Sequence, residues 1–161
     1  MNTPTADSID STAVPGTPIT ALISLTQHEL DARYRDAAAD AIPNGVGEGV
    51  ALVAPGTFLT RPLAAFIRML FWHGKTVDAS RLELRNRITP FGLHTIRARL
   101  YYGSSLLDGA DSIILDYSRT SVVARFVRDE IRMVAPGVYL GYAYAFGIRW
   151  ITFALSFAKT E

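Results

Sequence analysis

The chain of 161 residues contains no cysteine. That absence excludes a disulfide framework, a thiol nucleophile, a zinc–thiolate site and an iron–sulfur centre. Histidine is scarce: His28, His73 and His94 lie far apart, with no i, i+4 pair, so no metal site is expected. Lysine is scarcer still, with Lys75 and Lys159 against fourteen arginines. Charged residues make up only 19% and the net charge is +1, which gives a nucleic acid no basic footprint to bind. The glycines form no G-x-G-x-x-G or phosphate loop, and no G-x-S-x-G elbow occurs. No cofactor is therefore expected. Residues 1–18 hold no basic residue and are rich in Ser, Thr, Pro and Asp. They lack the positive region of a secretory signal and the arginines of a mitochondrial presequence. They read as a disordered tail, and the default location is cytoplasmic.

What the chain has is apolar surface, 49% of residues, including seven tyrosines and eight phenylalanines. Its length suits one domain, expected over 19–161. Thr26 and Glu29 have capping-box spacing and open a helix expected over 26–40, halted by Pro43-Asn44-Gly45. Gly47 to Val53 reads as a strand. A second helix is expected over 60–71, where Leu63, Phe66, Ile67 and Leu70 recur at helical spacing.

From Trp72 the period becomes two. Strands are expected over 72–78, 81–89, 93–102, 112–117, 128–134, 138–144 and 149–158, giving seven or eight in all. A short helix is expected within Arg119 to Val127. Asp108-Gly109, Ala135-Pro136-Gly137 and Phe146-Gly147 are turn signals. Sequential strands joined by short turns favour an antiparallel meander, and closing it removes its exposed edges. The expected fold is mainly β: an antiparallel up-and-down barrel of seven to eight strands over 72–158, with two N-terminal helices. Eight strands enclose a space that side chains or one small ligand can fill.

The stretch Val138 to Ala158 carries a single charge, Arg149, over a length that can cross a bilayer. Gly141, Gly147 and a central arginine, worth about 2.5–3.5 kcal/mol against insertion, favour two strands instead. The apolar stripe from Leu63 to Trp72 is too short to span but suits a membrane surface.

Helix, then Trp72 opening a strand, then a meander resembles the lipocalin-like (calycin) barrels. Trp72-His73-Gly74-Lys75 is similar to the W-x-G-K element of small bacterial barrels of the GXWXG type. The glycine usual two residues before that tryptophan is Leu70 here. The resemblance spans about Pro62 to Phe157. It implies a helix closing one barrel mouth and Trp72 packed beneath a late-strand cation, for which Arg149 is the candidate. Such a cation–π contact is worth about 0.5–2 kcal/mol. It also implies an apolar cavity and no settled activity.

Chemistry-bearing residues fall into four groups. Arg97, Arg128 and Arg132 are candidate anchors for an anionic head group, since the guanidinium fork suits carboxylates. The alternative for the cluster Arg125 to Arg132 is cross-strand ion pairing. Asp129 shares a face with Ile131 and so can point inward. Asp116 shares a face with Ile114 and is a candidate buried acid or base, helped by Tyr117, or else a turn cap. Tyr142 and Tyr144 share a face with Leu140 and are candidates for a cavity lining or for plain packing. His73 and Lys75 complete the set, Lys75 as an amine nucleophile if desolvated.

The leading expectation is a non-catalytic barrel that binds an apolar or amphipathic, anionic small molecule of fatty-acid, isoprenoid or polyketide type. The alternatives are a metal-free isomerase or cyclase using Asp116 or Asp129, and a peripheral membrane protein. A homodimer is among the candidate partners. Residues 1–60 carry two basic against seven acidic side chains, and residues 61–161 carry fourteen against eight. The barrel segment is thus basic, which favours an anionic ligand.

Overall fold

The computed structural model describes residues 19–52, 75–86, 96–119 and 125–157. Two helices, α1 (Ile19–Ile23) and α2 (Gln27–Asp36), precede eight strands. These are β1 (Gly45–Leu52), β2 (Lys75–Asp78), β3 (Glu83–Asn86), β4 (Ile96–Ser104), β5 (Asp111–Asp116), β6 (Val127–Ala135), β7 (Val138–Ala145) and β8 (Ile148–Phe157). Each strand pairs antiparallel with the next, and β1 pairs with β8, so the sheet closes into a barrel. The expected meander is the observed topology, with all eight strands present.

Alternation assigns the two faces of the wall. Val77, Leu84, Leu100, Ile113, Leu115, Ile131, Phe153 and Leu155 point inward and form one buried core. Small residues make room for its rings. A Cβ on Gly141 would lie 2.6 Å from the Phe153 ring and 2.8 Å from the Glu130 carbonyl oxygen, and one on Gly47 would lie 2.6 Å from the Phe157 ring.

The second core lies on the outer face. Leu22 of α1 and Leu30 and Tyr34 of α2 pack against Leu52, Leu140, Tyr142, Tyr144 and Ala154. α2 starts where the capping box places it: Thr26 Oγ1 accepts from the Glu29 amide, and the Thr26 amide donates to the Glu29 carboxylate. It ends at Asp36, short of the expected residue 40. Ala37 turns to an extended conformation and Ala38 bridges to Met133, so backbone pairing with the barrel outcompetes the helix. α1 was not expected; five residues, ITALI, offer no cap and little more than one turn of periodicity.

Other boundaries shift for local reasons. Val127, expected in a short helix, opens β6, and Arg125 and Phe126 form a turn. Gly137 and Gly147 have φ of +73° and +78°, which supports the two hairpin turns read from Pro-Gly and Phe-Gly. The stretch from Val138 onward folds as β7 and β8. Among the described residues no helix is long and apolar enough to cross a membrane. The expected tail 1–18, the helix 60–71 with its apolar stripe, Trp72, His73 and His94 lie outside the described residues.

Leu82, inside the strand expected over 81–89, sits instead in the turn before β3 at φ +53°, 45% exposed. The left-handed region costs a branched side chain about 1–2 kcal/mol, whereas asparagine tolerates it. Leu82→Asn is expected to stabilise the fold by about 1 kcal/mol, read as a raised midpoint in urea at unchanged slope. A lowered midpoint would contradict the turn assignment.

Candidate functional site

Two polar groupings emerge, one in each core. The outer one is structural. Arg132 of β6 is 1% exposed and is held beneath α2. Its Nε donates to Ser112 Oγ and the Asp111 carbonyl, both at 2.9 Å. Its Nη1 reaches the Tyr34 carbonyl at 2.9 Å and Asp108 Oδ2 at 2.8 Å. Its Nη2 reaches Asp108 Oδ1 at 2.6 Å and the Ala110 carbonyl at 3.1 Å. The guanidinium also lies over the Tyr34 ring, 4.4 Å from its centroid. A guanidinium engaged at every nitrogen is a clamp, with no donor left for a ligand.

Other sequence candidates join this outer wall. Tyr142, instead of facing the interior, packs its ring 4.6 Å from that of Tyr34 and donates to Asp31 of α2 at 2.8 Å. Tyr144 donates to Glu130 at 3.3 Å. Glu130, fully buried, also accepts from Ser105 Oγ at 2.6 Å and the Leu106 amide at 2.9 Å. Arg128 donates to the Ser104 carbonyl and sits 3.8 Å from Glu130. Arg149 bonds Asp31 at 2.8 Å and lies over the Tyr142 ring, so its described partners are on this wall; Trp72 is outside the described residues. Arg97 is exposed on β4, opposite Arg85 of β3. Asp116 is half-buried and accepts from the Ser118 amide at 2.8 Å, capping the turn after β5. The arginines and tyrosines proposed for ligand contact are therefore not gathered around one cavity.

The inner grouping is different. Lys75 of β2 and Asp129 of β6 stand four strands apart in a barrel of eight, on opposite walls, and meet across the interior. Lys75 Nζ lies 3.9 Å from Asp129 Oδ2, an ion-pair distance longer than a hydrogen bond. Tyr117, just past β5, donates its hydroxyl to the same oxygen at 3.0 Å. Lys75 Nζ also lies 4.9 Å from the centroid of the Phe153 ring. Lys75, Tyr117 and Asp129 are each exposed by 2% or less. Asp129 Oδ1 has no hydrogen-bond partner among the described residues.

Burial sets the chemistry of this pair. It pushes the Lys75 amine below its ordinary range, against the opposing pull of Asp129. It pushes the Asp129 carboxyl up, against Lys75 and the Tyr117 hydrogen bond. Both shifts lean toward the uncharged forms. Such a pair can donate and accept a proton, and the amine can act as a nucleophile. Among the described residues no cluster of three or more His, Asp or Glu could hold a metal ion. An open cleft of about 310 Å³ lies elsewhere, where the end of α2 meets β6, lined by Arg33, Asp36 and Met133.

Asp129 and Lys75 were both legible as candidates, but Tyr117 was paired with Asp116. The useful signal was parity. Tyr117 shares a face with Leu115, and Leu115 registers with Asp129 across β5 and β6.

The fold and site define a closed eight-stranded antiparallel barrel with an acid, an amine and a phenol enclosed among apolar side chains. No known protein family matches the chain, and no curated protein does. A solved structure does: the crystal structure of a protein from Thermomonospora curvata. It matches with a TM-score of 0.57 and 20% identity, covering 88% of this chain and 94% of that one. The likeness is one of fold.

Proposed function

We propose that the barrel binds one small apolar or amphipathic molecule, of fatty-acid or isoprenoid type, with its oxygen-bearing end at Lys75, Asp129 and Tyr117. Supporting this is the Lys75–Asp129 pair inside an otherwise apolar interior, with one carboxyl oxygen of Asp129 lacking a hydrogen-bond partner among the described residues. Burying an ionisable pair costs several kcal/mol per ion, and an unsatisfied buried oxygen adds to that cost. A ligand hydroxyl, carboxyl or carbonyl beside the pair offsets part of it. The apolar wall then takes the ligand's chain. The element order and strand number support a lipocalin-like reading of the barrel.

Two measurements test this. Native mass spectrometry of protein purified from its own host is expected to show a co-purifying small molecule. In thermal melts, dodecanoate or dodecanol at a hundredfold excess over its dissociation constant is expected to add about 2.7 kcal/mol, a rise of about 5–10 °C. Asp129→Asn is expected to weaken binding at least tenfold. Ligand-free protein that none of dodecanoate, dodecanol or farnesol stabilises would overturn the proposal. Asp129 and Tyr117 also form an acid–base couple, which favours an isomerase or cyclase as the second reading. Conversion of the co-purified molecule, lost in Asp129→Asn, would decide for it.

A further inference from the structure

We propose that Lys75 captures an aliphatic aldehyde or ketone inside the barrel as a covalent, reversible imine. This rests on the binding reading above and narrows its ligand to a carbonyl compound. The geometry carries it. An amine projects into an apolar enclosure, with a carboxyl 3.9 Å away on the opposite wall and the Tyr117 hydroxyl bonded to that carboxyl. Imine formation needs a neutral amine, a group that moves protons to and from oxygen, and restricted water. The three occur together here, and burial favours the neutral amine.

The balance is simple. The Lys75 nitrogen attacks the carbonyl carbon, forming the C–N bond, and the carbonyl π pair moves to oxygen. Asp129 gives that oxygen its proton and takes one from nitrogen. A second proton from Asp129 then expels the hydroxyl as water, the C=N bond forms as a protonated imine, and its N–H proton returns to the Asp129 carboxylate. Amine plus carbonyl becomes imine plus water, with no oxidant or reductant. Where the imine nitrogen keeps a proton, the Asp129 carboxylate is its counter-ion, and the Phe153 ring supports the cation.

The chain's lysine content makes the test clean, because its only other amines are Lys159 and the N-terminus. The full-length protein is incubated with dodecanal and sodium cyanoborohydride, and peptide mapping locates the trapped amine. The expected result is an adduct at Lys75 that outpaces Lys159 at least tenfold at pH 7. The ratio should shrink toward pH 10, where an ordinary lysine also loses its proton. Lys75→Arg is expected to lose that adduct. Mapping of the unmutated protein decides the matter even if the variant does not fold. Labelling of Lys159 or the N-terminus as fast as Lys75 would overturn the inference. So would binding of dodecanol without any adduct from dodecanal, which leaves the binding reading standing. Failure of both compounds to bind would overturn both.

Discussion

Lys75→Met is expected to destabilise the barrel by about 3–5 kcal/mol near neutral pH, and adding Asp129→Asn should restore at least half of that loss. Removing the amine leaves the Asp129 carboxyl buried in the interior, with the Tyr117 hydroxyl as its hydrogen-bond donor among the described residues. The asparagine in the double variant keeps an oxygen for Tyr117 and carries no charge to bury. The pH dependence of the single variant has a definite sign. Burial raises the folded-state pKa of Asp129 above its ordinary 3.8, so the folded chain holds a proton that the unfolded chain releases. The stability this proton provides is complete below about pH 4 and is lost as pH rises through the folded value. The Lys75→Met penalty should therefore be smaller at pH 4 than at pH 8. Urea unfolding at the two pH values for wild type, both single variants and the double variant measures this. Additive losses in the double variant would show that the two side chains do not act as a pair.

Arg132→Met is expected to cost about 3–5 kcal/mol and to loosen α2 before the strands. The substitution removes a guanidinium that joins the Tyr34 carbonyl of α2, the Asp108 carboxylate and the carbonyls of Ala110 and Asp111 to β6. Asp108 regains water because it is partly exposed, but the Tyr34 carbonyl is left with the Ala37 amide, 3.3 Å away, as its hydrogen-bond donor. Arg132→Lys should recover only a part, since one ammonium cannot serve acceptors arranged around a planar fork. The Arg132 hydrogen bonds hold the Asp108 carboxyl below the usual range. Their contribution is thus present above about pH 4 and is lost as pH falls through the lowered value. Hydrogen exchange should show faster opening of residues 27–36 than of β7 and β8. A loss below about 1 kcal/mol, or uniform loosening of helix and barrel, would contradict the clamp.

Local pattern carried most of the architecture. Period-two alternation in Arg97–Tyr102 and Ser112–Tyr117, with turn residues at Asp108-Gly109 and Pro136-Gly137, is enough to predict consecutive antiparallel strands. The Thr26–Glu29 spacing is enough to start α2 at the right residue. Alternation also fixes parity, which is why Asp129 could be read as pointing with Ile131. Parity does not say which of two apolar faces is the interior. Tyr142 and Tyr144 read as either a cavity lining or plain packing, and with Leu140 they form the bed for the helices, because both faces of β7 are covered. Arg132 stays open between a ligand anchor and an ion pair for the same reason, and the structure places it in the ion pair with Asp108. A buried arginine and a solvent-facing one look alike until the helix that covers one of them is in place.

The missing cysteines, the few histidines and the sparse lysines narrow the chemistry through composition alone. The meeting of Lys75 and Asp129 does not follow from composition. They are 54 positions apart, on strands with no direct pairing, and no local rule relates them. Closure of the eighth strand onto the first curves the sheet until β2 faces β6. That curvature is a property of the whole wall, and it turns two ordinary charged residues into an enclosed amine and acid.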